Sequence, residues 1–421
     1  MAEWVETFLS DILMDKGYIR GPFGSALKRG DMKEEGIPVY EQQHAIYNSR
    51  DFRYYIDEQK FNEMKRFQVR KDDLIISCSG TVGKVSIIKD NDPKGIISQA
   101  LLLLRVDTNK ILPLYLKYFF SSRDGYNAIV SRSSGSVQVN IAKRSSIEQI
   151  PLKLPQIKTQ KKIVGMLSSI DEKIEENERI NNNLEEQSVL LFKEWFTDFV
   201  NTSSNLIETQ FGLIPDTFRL LKNGELQIVV TDYVANGSFA SLKANVTLYQ
   251  ESNYAYFIRN TDLKSGSFEV FVDEHSYKFL SKSTLYGGEI IISNVGDVGS
   301  VFLCPKLKKP MTLGNNIIML RSEQDNLKYY LYIWFKWLYG QSLIQGIKGG
   351  SAQPKFNKTD FKSLPIFLPP DDLLEQFHQT VKPMFELIEK NNEENQGLRV
   401  IRDTLLPKLM SGELDVSEID L

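Results

Sequence analysis

Two short stretches of the chain combine basic, amide and small side chains, the groups that bind phosphate oxygens and the edges of nucleic-acid bases. Lys and Arg neutralise phosphates, glutamine pairs with adenine, and glycine lets the backbone approach a ligand closely. A solvated basic loop is the alternative interpretation, and the occurrence of the pattern twice favours a binding role. The candidate contacts are Arg132, Ser134, Gln138, Lys143 and Arg144 in the first stretch and Lys348, Gln353, Lys355, Asn357 and Lys358 in the second.

A second set of candidate contacts lies earlier in each half of the chain. A lone histidine is more often a surface group than one that reads a base, so His44 contributes least to this set. The set comprises Gln42, Gln43, His44 and Arg50, matched roughly by Arg259, Asn260 and Lys264, together with Lys28, Lys243 and Asn294.

The segment Gly80-Thr81-Val-Gly83-Lys84 resembles a nucleotide-binding loop but does not match its motif. It lacks the four-residue gap between glycines and the Ser or Thr after the lysine. A tight turn after a buried strand is the better interpretation, and Thr81 and Lys84 on it are candidate contacts with phosphate. Phe23 and Phe239, each beside small residues, are predicted to pack in the interior.

No catalytic or metal site is predicted. An adenine methyltransferase needs Asn or Asp before Pro-Pro and an aromatic residue after it, whereas Pro369-Pro370 follows Leu368 and precedes Asp371. The carboxylates Asp171 and Glu172 beside Lys173, a nuclease-like combination, fall on a predicted helix instead of a strand. The three histidines are scattered, and no Cys/His grouping suggests zinc.

An internal repeat organises these residues. Gly80-Thr-Val-Gly83 recurs as Gly296-Asp-Val-Gly299, and Asp73–Ser77 recurs as Glu289–Ser293, both shifted by 216 residues. The shift is also 216 from Gly21 to Gly237, 215 from Gly135 to Gly350 and 214 from Ile150 to Leu364. Chance would not hold a shift this steady, so the chain contains two copies of one unit.

Each copy ends in a helix with heptad spacing, which predicts a coiled-coil seam with asparagines that can set register. The spacing stays near 3.5 over about 33 residues, longer than a typical globular helix. The seam residues are Ile163, Ile170, Asn177, Asn181, Leu184, Leu191 and Trp195 in the first helix and Phe377, Met384, Asn391, Asn395, Leu398 and Leu405 in the second.

Composition sets the class of protein. Hydrophobic residues make up 42% of the 421 residues, which is ample for folded cores, and the net charge is −3. The total charge therefore does not indicate a nucleic-acid partner, and only its local distribution can. Cys78 and Cys304 are lone thiols, no leader is evident, and no apolar run could span a membrane, so we expect a soluble, cytoplasmic protein.

The predicted architecture is α/β (α+β), with two tandem globular domains separated by two long helices that pair as an antiparallel coiled coil about a pseudo-two-fold axis. Short strands are expected at 73–77, 85–88 and 101–106, and a helix from about Thr159 to Phe199. The predicted regions are 1–155, a first globular domain; 156–203, a helical spacer; 204–370, a second globular domain; and 371–421, a terminal helical region.

The chain resembles the specificity subunits of type I restriction-modification systems. The terminal segment from Leu398 to Leu414 is similar to their C-terminal conserved region, and Leu191-Phe192-Lys193-Glu194-Trp195-Phe196 is similar to their central one. Gly212-Leu-Ile214-Pro215 resembles the entry to their second target-recognition domain. The resemblance covers essentially the whole chain, although the entry to the first domain is short.

The resemblance implies a non-catalytic subunit that reads double-stranded DNA. Each globular domain would be a target-recognition domain for one half of a bipartite target, and the seam helices would set the spacer and bind two methyltransferase subunits. Restriction subunits that translocate DNA would join them. The chain would bind no cofactor, and S-adenosylmethionine, ATP and Mg would be bound by the partner subunits.

Two other classes of function remain open. A scaffold would use the coiled coil for assembly alone, and it would keep its properties when the two basic stretches are mutated. A self-contained DNA methyltransferase is the second alternative, which methylation by the isolated chain would reveal.

Overall fold

The computed structural model describes residues 4–133, 139–200, 204–350 and 353–416. These form two compact units, of which unit 1 comprises Met1–Glu176 with Glu394–Leu421 and unit 2 comprises Asn177–Glu393. Each of the two long helices contributes residues to both units.

Unit 1 contains nine strands and five short helices in its described residues, before the first long helix. The strands are β1 (Trp4–Phe8), β2 (Leu13–Arg20), β3 (Ile37–Tyr40), β4 (Tyr55–Ile56), β5 (Leu74–Ser77), β6 (Val85–Ile87), β7 (Ile96–Ile97), β8 (Leu101–Val106) and β9 (Pro151–Pro155). The helices are α1 (Gln42–Ile46), α2 (Glu58–Glu63), α3 (Pro113–Ser121), α4 (Arg123–Val130), α5 (Arg144–Glu148) and the long α6 (Ile157–Phe196).

Unit 2 repeats this order with additions. Its strands are β10 (Leu206–Thr209), β11 (Gly212–Pro215), β12 (Arg219–Lys222), β13 (Ile228–Asp232), β14 (Leu248–Tyr249), β15 (Ala255–Ile258), β16 (Phe271–Val272), β17 (Thr284–Leu285), β18 (Ile290–Ser293), β19 (Val301–Leu303), β20 (Met311–Leu313), β21 (Ile317–Ser322) and β22 (Pro365–Leu368). Its helices are α7 (Phe239–Asn245), α8 (Asn260–Ser265), α9 (Glu274–Phe279), α10 (Asp325–Lys336), α11 (Leu338–Gly346), α12 (Lys358–Ser363) and the long α13 (Asp371–Ser411).

A four-stranded antiparallel sheet lies at the centre of each unit. Its order is β2-β8-β5-β6 in unit 1 and β13-β21-β18-β19 in unit 2, so the repeat in the sequence is a repeat of topology. A smaller sheet accompanies each one, β4-β3-β7 in unit 1 and β14-β16-β15-β20-β17 in unit 2. The predicted fold class, two tandem α/β units with two long helices, is confirmed.

Strand β5 is apolar from Leu74 to Ile76 because both of its faces are covered. Leu74 and Ile76 pack in a cluster with residues of α3 and α6, while Ile75 packs in a separate cluster with Tyr40 of the smaller sheet. Strand β18 does the same with Ile290 and Ile292 on one face and Ile291 on the other. A continuous run of Ile and Leu is the pattern expected of a strand buried on two faces.

A carboxylate precedes the central strand in both copies and pairs with an arginine from the neighbouring strand. Asp73 is buried and accepts two hydrogen bonds from Arg105, at 2.8 and 2.7 Å. In unit 2 the equivalent Glu289 lies 3.9 Å from Arg321. Breaking a buried pair leaves an uncompensated charge, so these contacts hold the strands in register.

Each unit contains an antiparallel pair of helix halves. In unit 1 the α6 half contacts the α13 half through Asp171 with Arg402, at 3.0 Å, and through Lys173 with Glu394, at 3.4 Å. In unit 2 Asn181 hydrogen-bonds both Asn391, at 2.8 Å, and Asn392, at 3.0 Å.

The two thiols are buried and unpaired. Burial raises the pKa of Cys78 to about 12 and raises the pKa of Cys304 well above its ordinary value. The thiolate is the reactive form, so both cysteines should be inert in the folded protein. We expect neither to react with a thiol reagent at pH 8 in native buffer, and both to react once urea unfolds the chain. Rapid modification of the native protein would contradict this placement.

Asp171 should contribute to the stability of unit 1 through its charge. Burial alone would raise its pKa, but Lys117, Arg402 and the Tyr118 hydroxyl hold the pKa below the ordinary value. Such a group stabilises the fold above its unfolded pKa, and that stability is lost as the pH falls through the folded pKa. We expect Asp171→Asn to destabilise unit 1 by about 2 kcal/mol at pH 7.

The measurement is thermal unfolding from pH 7 down to pH 3. The difference between Asp171→Asn and the parent should shrink as the carboxylate of the parent becomes protonated. Asp90→Asn is the matched control, because the Asp90 side chain is 81% exposed and pairs only loosely with Lys71 at 3.5 Å. A deficit that is independent of pH would mean that the amide disturbs packing instead of charge.

Candidate nucleic-acid interface

In unit 1 the turn after β5 is hydrogen-bonded to the basic stretch. The Gly80 amide donates to the Val139 carbonyl over 2.8 Å, and the Ile141 amide donates to the Cys78 carbonyl over 2.9 Å. The Ser79 hydroxyl also donates to the side chain of Asn140. Two segments that are far apart in sequence therefore form one polar surface.

Unit 2 builds the same junction with different residues. The Gly296 amide donates to the Pro354 carbonyl over 2.8 Å, and the Phe356 amide donates to the Asn294 carbonyl over 3.0 Å. These positions are equivalent to those of unit 1 by the repeat. The pairing of turn with basic stretch is thus a property of the repeated unit, independent of side-chain identity.

Glycine is required in these turns for its backbone conformation. Gly80 and Gly83 have φ of 66° and 86°, and Gly296 and Gly299 have φ of 78° and 99°. A Cβ on Gly80 would meet no atom within 4 Å, so the constraint at that position is torsional and not steric. The two turns consequently share one shape.

The strand directions bring a further loop to this end of each sheet. Strands β2 and β5 are both antiparallel to β8 and therefore run in the same direction, so the loop after β2 and the turn after β5 leave the sheet at the same end. Strands β13 and β18 have the same relation to β21. We call this end the polar end, comprising 21–28, 78–84 and 139–144 in unit 1 and 237–243, 294–300, 348–350 and 353–358 in unit 2.

The polar end of unit 1 presents cations. The predicted contacts Lys28, Thr81, Lys84 and Lys143 are exposed, and exposure is required of a side chain that contacts phosphate. The Lys84 ammonium lies 5.0 Å from the centroid of the Tyr126 ring, which positions it without neutralising it. Arg144 forms an ion pair with Glu148 at 2.7 Å and remains 60% exposed.

The polar end of unit 2 mixes charges. The predicted contacts Lys243, Lys348, Gln353, Lys355 and Asn357 are exposed. Asp297 occupies the repeat position of Thr81, pairs with Lys264 at 2.6 Å and accepts a hydrogen bond from Ser300 at 2.5 Å. Lys264 and Ser300 hold the pKa of Asp297 below its ordinary value, so this turn carries a fixed carboxylate.

His44 was wrongly predicted, both as a surface residue and as a candidate contact. It is fully buried and stacked on Phe52 at 4.6 Å. Its Nδ1 accepts from the Glu41 amide at 2.6 Å, and its Nε2 lies 3.0 Å from the Asp51 carbonyl. Burial lowers the pKa of His44, which favours the neutral ring. A local sequence with Gln42 and Gln43 beside it gave no sign that this position faces the interior.

Three neighbours of His44 also make contacts within the fold. Arg50 pairs with Asp92 at 2.8 Å and donates to the Ile87 carbonyl at 3.0 Å. Gln42 accepts from the Ser79 amide at 3.0 Å, so it supports the turn from behind. Gln43 donates to the Asp51 carbonyl at 3.2 Å.

Other predicted contacts combine partial exposure with structural bonds. Arg259 pairs with Asp262 at 2.6 Å, and Lys358 pairs with Asp232 at 2.9 Å. Arg132 donates to the Ala128 carbonyl at 2.8 Å. Asn294 donates to the Phe356 carbonyl at 3.3 Å, and Asn260 donates to Asp297 at 3.4 Å.

Two predicted contacts, Ser134 and Gln138, lie outside the described residues. The prediction for Phe23 and Phe239 is wrong, because they are 60% and 81% exposed. Sequence reasoning missed Asp297 and Asn140. The repeat offered a signal for Asp297, since it replaces Thr81 in an otherwise matching turn, whereas nothing local distinguished Asn140.

The seam residues of the two long helices are buried or half-buried within the chain. In unit 2 Trp195 contacts Phe377 with ring centroids 5.7 Å apart. Asn177, Asn181, Asn391 and Asn395 are all at least nine-tenths buried. A partner protein would consequently meet the outer faces of these helices and not the seam itself.

In the described part of the chain, no helix has both the length and the apolar character of a membrane span. Among the same residues, no group of three or more His, Cys, Asp or Glu side chains is placed to hold a metal ion.

Comparison with known proteins identifies the family. The model of the type I restriction modification DNA specificity domain matches residues 2–186 and 232–399. The type I restriction enzyme MjaIX specificity subunit of Methanocaldococcus jannaschii is 26% identical over 381 residues, covering 89% of this chain and 84% of that protein. The HindI specificity subunit of Haemophilus influenzae is 24% identical, covering 82% and 87%.

The fold also has a counterpart among solved structures. The crystal structure of a type I restriction-modification S subunit from M. genitalium aligns with a TM-score of 0.55 at 16% identity, covering 99% of this chain and 97% of that one. The family match spans most of the chain and includes both copies of the repeat. This chain belongs to the type I restriction-modification DNA specificity family.

Proposed function

We propose that this chain is the non-catalytic DNA-reading subunit of a type I restriction-modification complex. Each unit reads one half of a split target through its polar end. The observation that carries the proposal is the repeated junction between a glycine turn and a basic stretch, which presents exposed Lys and Asn side chains in both units and the exposed Gln353 in unit 2.

The charge distribution supports DNA as the ligand in spite of the net charge of −3. Two acidic groups of α6 are paired with lysines of unit 1, Asp171 with Lys117 at 3.3 Å and Glu175 with Lys89 at 2.6 Å. Exposed cations remain at the polar ends, where they can release counterions from phosphates.

The long helices suit the remaining parts of the function. Helix α6 has 40 residues, and at 1.5 Å per residue such a helix is about 60 Å long, more than one turn of duplex DNA at about 34 Å. We assign the outer faces of α6 and α13 to two methyltransferase subunits and the helices to the spacer between half-sites. Restriction subunits complete the complex in the cytoplasm, and S-adenosylmethionine, ATP and Mg belong to the partner subunits.

The first test maps methylated adenines across the host genome with the gene intact and deleted. We expect one split motif of two unlike half-sites to lose methylation on deletion, because only this chain selects it. Unchanged methylation of every motif, with the partner methyltransferase expressed, would favour an assembly scaffold. Methyl transfer by the isolated chain would contradict a non-catalytic role.

A second test separates phosphate contacts from general surface charge. For the complex with its methyltransferase subunits, we expect Lys84→Ala or Lys355→Ala to lower the slope of log affinity against log salt by about one, since each removes one phosphate contact. The controls are Lys71→Ala and Lys306→Ala. Both lysines are exposed, and they lie near the starts of β5 and β18, at the end of each sheet away from the polar end. Equal effects of test and control variants would contradict the assigned surface.

A third test concerns the half-site read by unit 2. Carboxylates accept hydrogen bonds from the N4 amino group of cytosine, so Asp297→Asn should relax or change this half-site and leave the other unchanged. The Asp297–Lys264 pair is about half exposed, and its loss should cost less than about 1 kcal/mol of stability. Methylated-motif mapping and thermal unfolding check both parts.

Glu323→Gln is the control for Asp297→Asn, because Glu323 is exposed and follows β21 at the opposite end of the sheet. It should leave both half-sites as they are. A motif that Asp297→Asn leaves intact would remove the carboxylate from base recognition.

A further inference from the structure

An exposed phenylalanine stands at the same repeat position in both units. Phe23 is 60% exposed and Phe239 is 81% exposed, and the two are separated by the shift of 216 residues. A single exposed apolar side chain needs no explanation. The recurrence at equivalent positions does, because the flanking residues differ, Pro22 and Gly24 in one copy and Ser238 and Ala240 in the other.

Both rings lie at the polar end of their unit. Strands β2 and β13 end beside the turns that begin at Cys78 and Asn294. Phe23 lies three residues after the end of β2, and Phe239 lies seven residues after the end of β13, beyond a 3-10 turn at Tyr233–Asn236. In unit 2 the Lys358–Asp232 pair at 2.9 Å ties the basic stretch to the end of β13. Each ring is therefore on the surface to which we assign DNA.

Cations accompany the rings, as a contact beside the phosphate backbone requires. The Arg20 guanidinium lies 5.6 Å from the centroid of the Phe23 ring. Phe239 begins α7, and exposed Lys243 is four residues further along this helix, which places both side chains on one face. The small flanking residues leave room for a duplex to approach.

We propose that Phe23 and Phe239 are wedge residues that stack on a base pair at the margin of each half-site and partly unstack one base step. Apolar wedges of this kind open and kink a duplex, and aromatic stacking on a base is tolerant of sequence. The wedge rests on the proposed function and adds to it a deformation of the target that each unit imposes independently.

The test uses the complex of the full chain with its methyltransferase subunits, without methyl donor, on a duplex that carries the mapped target. 2-Aminopurine replaces one base at a time across each half-site, and its fluorescence reports unstacking. Phe239→Ala should bind about tenfold more weakly and lose the signal at one step of the half-site of unit 2. Phe23→Ala should do the same only in the other half-site, and Phe239→Trp should keep both affinity and signal.

Tyr286→Ala is the matched control, because Tyr286 is 66% exposed and precedes β18 at the opposite end of the sheet from Asn294. It should change neither measurement. Any unstacking caused by the methyltransferase is present in all variants, so only the difference from the parent counts.

Unchanged affinity and unchanged fluorescence in Phe239→Ala would overturn the wedge while leaving half-site recognition intact. Reduced assembly with the methyltransferase subunits, with a normal signal from the complex that does form, would also overturn it and make the ring a protein contact. A parent complex that does not select the split target would overturn the proposed function itself.

Discussion

Burial of one strand on both faces is the constraint on which each unit depends. Strand β5 packs against helices through Leu74 and Ile76 and against the smaller sheet through Ile75. Because the strand is held from two sides, its end at Ser77 cannot shift, and the turn that follows starts from a defined position. The bond from Ile141 to the Cys78 carbonyl, at 2.9 Å, then fixes the basic stretch to the same point. The packing of the core thus sets the position of the polar surface.

The same frame carries two different surfaces. Backbone hydrogen bonds and positive-φ glycines define the junction in both units, so its side chains are free to vary. Unit 1 places Thr81 and Lys84 where unit 2 places Asp297 and Ser300. A duplicated scaffold with unlike tips is suited to two unlike half-sites, and the physical reason is that backbone contacts specify shape while leaving side-chain chemistry open.

The buried asparagines of the helices lower the stability of the seam and in return can specify its register. Asn181 bonds Asn391 and Asn392 within unit 2, at 2.8 and 3.0 Å, so the polar groups are satisfied where a leucine would pack more strongly. Asparagines at seam positions can specify register and orientation because a displaced partner leaves an amide unsatisfied. In unit 1 the pairing of Asp171 with Arg402 and Lys117 acts in the same direction through charge.

Periodicity and repetition determined much from the sequence alone. The strand predicted at 101–106 is observed at Leu101–Val106, and the helix predicted from about Thr159 to Phe199 is observed at Ile157–Phe196. These features follow from local spacing, which needs no knowledge of distant residues. The exposure of Lys84, Lys143 and Lys355 could also be predicted from the sequence, since a charged residue in a turn is seldom buried.

Only the tertiary structure decided which polar and aromatic residues face outward. His44 and Arg50 looked like surface groups, yet the fold surrounds His44 with Phe52 and Tyr40 and gives Arg50 the carboxylate of Asp92. Phe23 and Phe239 looked like core and are exposed. The type of a side chain sets the free-energy cost of burying it. Long-range packing decides whether a buried polar group finds partners that offset this cost, and whether an apolar ring stays in water. The local sequence around these residues carries no signal of which outcome applies.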